Sequence, residues 1–320
     1  MYASITDAPG SLWIKDIHGH HKQLKRLEPF EAATSLGVDI AADGNNISQF
    51  NRMKDASIKW ADQIRTGKLQ KDEVALALHS TLWKTLAYPL PCTSLTKQQC
   101  EEIMAPALNQ ALPSMGVCRN YSRTICHSPI SLMGLGIPHI HTLQEIAHLK
   151  DIIHHSAIDT FTGQLYRGTL EALILEVGFG TNIFRLPYDE LQHLATPSLV
   201  KTTWDFLSTN KISLQYDIDI SCPRENDRPI MQRFYELGVR GDTLATLNHC
   251  RLYLQAFFIS DISDFSGHTI NTHSWQGIRA KTPTNHFTWP TTTKPTNAAW
   301  ETWRTYLAQG ITSGRRTLSK

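Results

Sequence analysis

The sequence lacks most of the short patterns that mark a catalytic or metal centre. None of its six cysteines forms a Cys-x-x-Cys pair, the spacing typical of zinc ribbons and redox dithiols. It contains no Walker glycine loop and no Gly-x-Ser-x-Gly elbow, and residues 178–182 lack the third glycine of a dinucleotide fingerprint. No two aspartates are adjacent. We therefore expect reduced structural thiols, metal-independent folding and no cofactor or small-molecule ligand.

Long apolar runs are also missing. No stretch approaches the roughly 20 apolar residues that a membrane span requires, and the first residues lack the charged-then-apolar order of a signal peptide. Hydrophobic residues make up 41% and charged residues 19% of the 320-residue chain, a composition typical of globular rather than disordered proteins. The sequence predicts a soluble intracellular protein, in the cytoplasm or nucleus.

The small net charge of +2 is unevenly distributed. Residues 47–127 carry ten Lys or Arg against six Asp or Glu, and residues 266–320 carry seven against one. Residues 128–265 carry ten against sixteen. A polyanionic partner is therefore expected at the basic helical segment or at the basic tail, and not at the acidic middle.

Apolar periodicity predicts three consecutive helices in this first basic segment. Residues at steps of three and four define the buried face of the first helix: Phe50, Met53, Ser57, Trp60 and Ile64. Leu78, Leu82 and Leu86 do the same for a second helix, which Pro89 must end.

The third helix of this segment begins at a capping box. Residues 96–99 form that pattern, which satisfies the first backbone N–H groups of a helix. Pro106 predicts a kink in it. The expected buried residues are Cys100, Ile103, Met104, Ala107 and Leu108.

The remaining patterns complete a mainly α fold of two helical units, with a small N-terminal β element and an irregular C-terminal tail. Residues 11–17 and 22–27 predict a hairpin, and residues 35–40 a strand. We divide the chain into a β-hairpin and strand (1–45), a helical unit (46–140), a second helical unit (141–265), and a Thr/Pro-rich linker with a short Trp-bearing helix (266–320). His141, His148 and His155 lie on nearly one face of a helix, too far apart to share an ion.

Several short segments of this sequence resemble the region that follows the polymerase core in the reverse transcriptases of non-LTR (LINE-like) retrotransposons. The likeness covers roughly residues 10–307 and depends on the order and spacing of the segments, since no single one is diagnostic. They lie at residues 31–38, 43–45, 60–65, 88–91, 133–138, 170–173 and 247–255.

The resemblance implies a thumb-like helical unit that grips an RNA–DNA template–primer duplex, followed by a connection domain. It makes residues 1–45 the edge of a polymerase palm, with Leu36 and Gly37 in a primer-proximal strand. The palm carboxylates of RNA-directed DNA polymerases would lie upstream of Leu36, where only 35 residues precede it. Because two-metal nucleotidyl transfer needs clustered carboxylates, we expect no activity from this chain alone and an N-terminal polymerase core as a partner.

Basic side chains of the thumb-like segment are the candidate nucleic-acid contacts, because Lys and Arg on phosphates supply most of the affinity for a duplex backbone. The candidates are Arg52, Lys59, Arg65, Lys68, Lys84, Arg119 and Arg123. The alternative interpretation is a solvated helix face on a degenerate retroelement fragment. Such a fragment would act, if at all, as a protein-interaction module, with the Trp-bearing tail docking a protein.

Two other groups of residues are weaker candidates for a metal site. Asp217 and Asp219 would share one face of a strand, but they lie far from the position that the family's aspartate hairpin occupies, so we interpret them as a surface connection. The histidines of residues 18–21 form a hairpin tip that offers no complete ligand set for zinc.

Overall fold

The computed structural model describes residues 12–24, 26–215, 224–225, 227–279, 293–312 and 316–318. Its chain divides into two compact units, residues 1–150 and 151–320. Asp217, Asp219 and Cys222 lie outside the described residues, as does the Thr/Pro-rich stretch 280–292. The prediction of a mainly α protein with a small N-terminal β element is confirmed.

The first unit begins with two antiparallel hairpins, β1–β2 and β3–β4. Their strands are β1 Trp13–Lys15, β2 His21–Gln23, β3 Ala32–Ser35 and β4 Val38–Ala41. The predicted hairpin around the histidines is therefore confirmed.

The strand predicted over residues 35–40 is wrong at Leu36 and Gly37. These two residues form the turn between β3 and β4, where Ser35 pairs with Val38. Their φ angles are 49° and 84°, and positive φ at both central residues defines the tight hairpin turn whose twist matches that of the strands. Leu36 is 89% exposed at the tip.

The helices of the first unit follow the predicted order. They are α1 Ile47–Gly67, α2 Lys71–Ala77, a π-helical segment Leu78–Leu82, α3 Trp83–Ala87, α4 Lys97–Ser114, α5 Arg123–His127 and α6 Ile140–Ser156, with 3₁₀ turns at Leu90–Cys92 and Ile130–Leu132.

One apolar core joins these helices. The predicted faces of α1, of the 71–87 rod and of α4 all contribute, and Met53, Trp60, Leu82, Ile103 and Leu108 are each less than 9% exposed. The capping box at Thr96 is present, and α4 continues through Pro106. The polar interior of α6 was not predicted.

That polar interior consists of Gln144, Glu145 and His148, all 0% exposed, whereas Ile146 and Ile153 are exposed. Burial raises the pKa of the Cys100 thiol to about 12, and the nearby Glu145 carboxylate adds to this shift. His148 is buried, and His141 and His155 are half-buried, so the histidine stripe is partly packed.

The second unit contains the helices α7 to α14. They are α7 Phe161–Val177, α8 Tyr188–Leu191, α9 Leu199–Thr209, α10 Ile230–Glu236, α11 Gly241–Leu254, α12 Ile259–Ile262, α13 Thr272–Gln276 and α14 Asn297–Gly310, with 3₁₀ turns at Ile183–Arg185 and Gln192–Leu194. Helix α9 begins after Ser198, whose side chain accepts a hydrogen bond from the Lys201 N–H and caps the helix.

The Trp-bearing helix α14 is part of this unit's core. Trp300, Trp303 and Leu307 are at most 4% exposed, and the Trp303 Nε1 donates to the carbonyl oxygen of Ser274 at 3.1 Å. Phe234 packs edge-on against Trp303, with ring centroids 5.7 Å apart. The tryptophans are consequently not available as a docking surface.

Candidate nucleic-acid interface

A long groove crosses the first unit between α1 and the rod of residues 71–87. It consists of two clefts of about 530 and 520 Å³ that share Ala56 and Thr85. One cleft ends at Gly37 and Tyr88, and the other at Gly67 and Leu69. We call this feature the α1–α3 groove; along α1 it extends from Gln49 to Gly67, about 27 Å at 1.5 Å per residue.

The π-helical segment forms part of the far wall of this groove. Such segments insert an extra residue into a helix and are frequent at functional sites. Here Thr81 accepts a hydrogen bond from the Trp60 Nε1 at 3.0 Å, which fixes the rod against α1 at mid-groove. Neither the π segment nor Thr81 gave a signal in the sequence.

Three of the predicted basic residues line the groove. Arg52 and Lys84 lie in the first cleft and Lys59 in the second. Among the described residues, no carboxylate lines either cleft. The described lining of the groove therefore contains basic side chains and no acidic one.

Of these three cations, Arg52 is held in an ion pair. Its Nη1 lies 3.0 Å from Asp39 Oδ1. The Asp39 carboxylate also accepts hydrogen bonds from the hydroxyls of Thr34 at 2.6 Å and Ser48 at 2.9 Å. The backbone N–H of Asp39 donates to Gln49 Oε1 at 2.8 Å. Asp39 thus fastens the β3–β4 hairpin to the start of α1 and neutralises Arg52, whereas no ion pair forms on Lys59 or Lys84 within the described chain.

The Leu36–Gly37 turn lies at the Arg52 end of the groove. Gly37 lines the first cleft, and the Tyr88 hydroxyl donates to the Leu36 carbonyl oxygen at 2.8 Å. The Tyr88 side chain, 60% exposed, is a groove residue that sequence reasoning missed. The structure therefore brings together two features predicted separately, the Leu-Gly pair and the basic helix face.

Arg65 and Lys68 do not line the groove. Residues rotate by about 100° each along an α-helix, so Lys59 lies within about 20° of Arg52 but Arg65 about 120° from Lys59. Arg65 pairs with Asp62 at 3.0 Å on that other flank. Lys68 follows the end of α1 in a left-handed conformation, with φ of 50°.

Arg119 and Arg123 form a separate group that contacts Asn109 of α4. The Arg119 Nε donates to the Asn109 carbonyl oxygen at 3.2 Å, and the Arg123 Nη2 to Asn109 Oδ1 at 2.9 Å. Neither residue lines the α1–α3 groove.

The Asp39 contacts make stability dependent on pH. Hydrogen bonds from Thr34, then Ser48 and Arg52, hold the pKa of Asp39 below its ordinary value, against the opposing effect of burial. A depressed carboxyl pKa stabilises the fold above the unfolded-state pKa, and this contribution is lost as the pH falls through the folded-state value.

We expect Asp39→Asn to lower the free energy of unfolding at pH 7 by about 1–3 kcal/mol, because hydrogen bonds to a charged partner are lost. Urea unfolding of both proteins between pH 7 and pH 2 tests this. The difference should shrink below the ordinary aspartate pKa of 3.8. A constant difference across that range would show that the charge of Asp39 does not contribute.

No group of three or more His, Cys, Asp or Glu side chains in the described part of the chain is arranged to hold a metal ion. Among the helices described, none has the length and apolar composition needed to cross a membrane. Comparison with known proteins finds no family model that matches the chain, no matching curated protein and no matching solved structure.

Proposed function

We propose that the first unit binds the sugar–phosphate backbone of a nucleic-acid duplex in the α1–α3 groove, as a thumb-like, non-catalytic part of a retrotransposon reverse transcriptase. The observation that carries this proposal is a 27 Å groove, about 1.5 Å per residue along α1, lined by three cations and no described carboxylate. The family assignment depends on the sequence resemblance alone. An intracellular location and an upstream polymerase core as partner belong to the same proposal.

The spacing of the cations suits a phosphate backbone. Arg52 and Lys59 are seven residues apart, about 10.5 Å along the helix axis. Phosphates of one strand recur every 3.4 Å or so along the axis of a B-form duplex, so a duplex lying parallel to α1 would place the two side chains about three phosphates apart. Backbone contacts of this kind position a duplex without reading its sequence, which is what a polymerase thumb requires.

Binding is expected to depend on Lys59 and Lys84. Changing both to Ala should weaken binding of an RNA–DNA hybrid about tenfold or more, because each neutralised phosphate releases counterions. Fluorescence anisotropy with hybrid and DNA duplexes of several sequences measures this, and all sequences should weaken alike. An A-form-like hybrid should bind at least as well as DNA, since shape and backbone are recognised.

Arg65→Ala together with Lys68→Ala is the matched control, with the same loss of two charges next to the groove but outside it. It should reduce affinity much less than the Lys59/Lys84 pair. Equal losses in the two variants would mean that the protein's overall charge, and not the groove, determines binding.

The alternative function, a protein-interaction module, loses its expected docking surface, because the α14 tryptophans are buried. Exposed apolar side chains occur instead at Ile130, Leu132 and Met133, which are 73–89% exposed. If hybrid binding is undetectable in low salt, this turn becomes the surface to test.

A further inference from the structure

A second pocket lies in the first unit between α4, α5 and the segment that precedes α6. Its volume is about 550 Å³, within the range of about 300–1,000 Å³ typical of small-ligand sites. It shares no lining residue with the α1–α3 groove. We call it the α4–α5 pocket.

Two helices place a basic side chain in the lining of this pocket. Lys97 lies in the first turn of α4 and Arg123 at the start of α5, and both line the cavity. The Arg123 Nη2 donates to Asn109 Oδ1 at 2.9 Å, which orients the guanidinium and leaves its other N–H groups for a ligand. One carboxylate, Glu101, also lines the pocket, so the two cations exceed it by one.

Two histidines form another wall of the pocket. The rings of His127 and His139 meet edge-on, with centroids 4.8 Å apart. His127 Nδ1 lies 2.8 Å from the Ile137 carbonyl oxygen, so this nitrogen carries the proton and the ring is fixed. His139 Nδ1 is buried and has no hydrogen-bond partner among the described residues, which costs free energy unless a ligand or water supplies one.

The surroundings of His139 favour its neutral form. Burial first, then the neighbouring His127, His141 and Lys97, lower the pKa of His139 to about 4. Its imidazole is therefore neutral at pH 7 and can donate one hydrogen bond.

The rest of the lining is apolar. Met104, Ala105 and Leu108 line the cavity from one face of α4, and they form an apolar floor that a planar ring can contact. Cations at one part of a pocket and an apolar wall at another fit a ligand that joins a phosphate to a planar base. We propose that the α4–α5 pocket binds a nucleotide through its 5′-phosphate and base.

This ligand chemistry has two sources, a free mononucleotide or the phosphorylated end of a strand. The proposal does not depend on duplex binding in the groove, because the two sites share no side chain. Titration of the full chain with 5′-AMP, adenosine and inorganic phosphate, followed by calorimetry and by the imidazole NMR signals of His127 and His139, tests it.

We expect AMP to bind and to shift both imidazole signals, and adenosine to bind about tenfold or more weakly, because the charge-assisted contacts to phosphate are absent. Lys97→Gln with Arg123→Gln should weaken AMP binding by a similar factor. The groove variant Lys59→Ala/Lys84→Ala should bind AMP like the wild type. Circular dichroism of each variant verifies its fold.

Displacement of AMP by a 5′-phosphorylated oligonucleotide, but not by its 5′-hydroxyl counterpart, would assign the pocket to a strand end; no displacement by either would assign it to a free nucleotide. AMP binding that is undetectable at millimolar concentration, or that Lys97→Gln/Arg123→Gln leaves unchanged, would overturn the proposal. Loss of duplex binding alone in the groove variant would bear only on the proposed function.

Discussion

Arg251→Met is expected to lower the free energy of unfolding by about 3–5 kcal/mol, because removing the charged partner leaves a buried polar network incomplete. Arg251 lies on α11 and is 0% exposed. Its Nη2 donates to the carbonyl oxygens of Leu175 and Glu176 at 2.7 and 2.9 Å and to Asn248 Oδ1 at 2.7 Å. The two carbonyls belong to the last turn of α7, which otherwise lacks partners within its own helix.

Two further observations show how closely this network is packed. Asn248 Nδ2 donates to the Glu176 carbonyl oxygen at 2.9 Å, so two side chains of α11 together donate three hydrogen bonds to the last turn of α7. Gly178 follows α7 with a φ of +85°, and a Cβ there would lie 2.9 Å from Arg251 Cζ. Burial lowers the pKa of Arg251 to about 9, so the guanidinium remains charged at pH 7.

Urea unfolding monitored by circular dichroism measures the loss. Arg185→Met is the control, because Arg185 is exposed in a 3₁₀ turn of the same unit; surface substitutions usually change stability by about 0.5 kcal/mol or less. Equal effects of the two substitutions would contradict a structural role for Arg251.

Gln144→Ala is expected to cost about 2–5 kcal/mol, because two buried backbone groups lose their partners at about 1–3 kcal/mol each. Gln144 Nε2 donates to the Leu95 carbonyl oxygen at 2.9 Å, and its Oε1 accepts from the Leu95 N–H at 3.0 Å and the Thr93 hydroxyl at 3.0 Å. The side chain thus fastens the segment before α4 to α6, much as a neighbouring strand would.

Gln98→Ala provides the control on the exposed side of α4. Hydrogen exchange at the Leu95 amide and urea unfolding, measured on the same variants, distinguish a local from a global effect. Exchange at Leu95 should be faster in Gln144→Ala and unchanged in Gln98→Ala. Unchanged protection at Leu95 would mean that another group replaces the glutamine.

The helices of the first unit were predictable because each carries an amphipathic pattern that the core uses directly. Leu78, Leu82 and Leu86 are buried as their spacing indicates, and Thr96 caps α4 as its capping box predicts. Residue spacing within one element contains this information. It also placed Arg52 and Lys59 on one flank of α1.

The features that could not be predicted from the sequence depend on residues that are distant along the chain. The burial of Gln144 and Arg251 could not be predicted, because the backbone carbonyls that they bind in other elements lie 49 and 75–76 residues away. Leu36 carries no signal for positive φ, since a leucine at such a position is uncommon. Lys59 and Lys84 share a groove only because α1 packs against the 71–87 rod, and the separation of Arg65 follows from helix rotation.

The central claim is that the α1–α3 groove holds phosphates, and the dependence of affinity on salt tests it most directly. The slope of the logarithm of the binding constant for an RNA–DNA hybrid against the logarithm of salt concentration counts the counterions released. We expect Lys59→Ala/Lys84→Ala to reduce this slope by about 1.4–1.8, at about 0.7–0.9 per phosphate contact. Arg65→Ala/Lys68→Ala should leave it near the wild-type value. Identical slopes for the wild type and the Lys59/Lys84 variant, with the helical circular dichroism intact, would contradict the account.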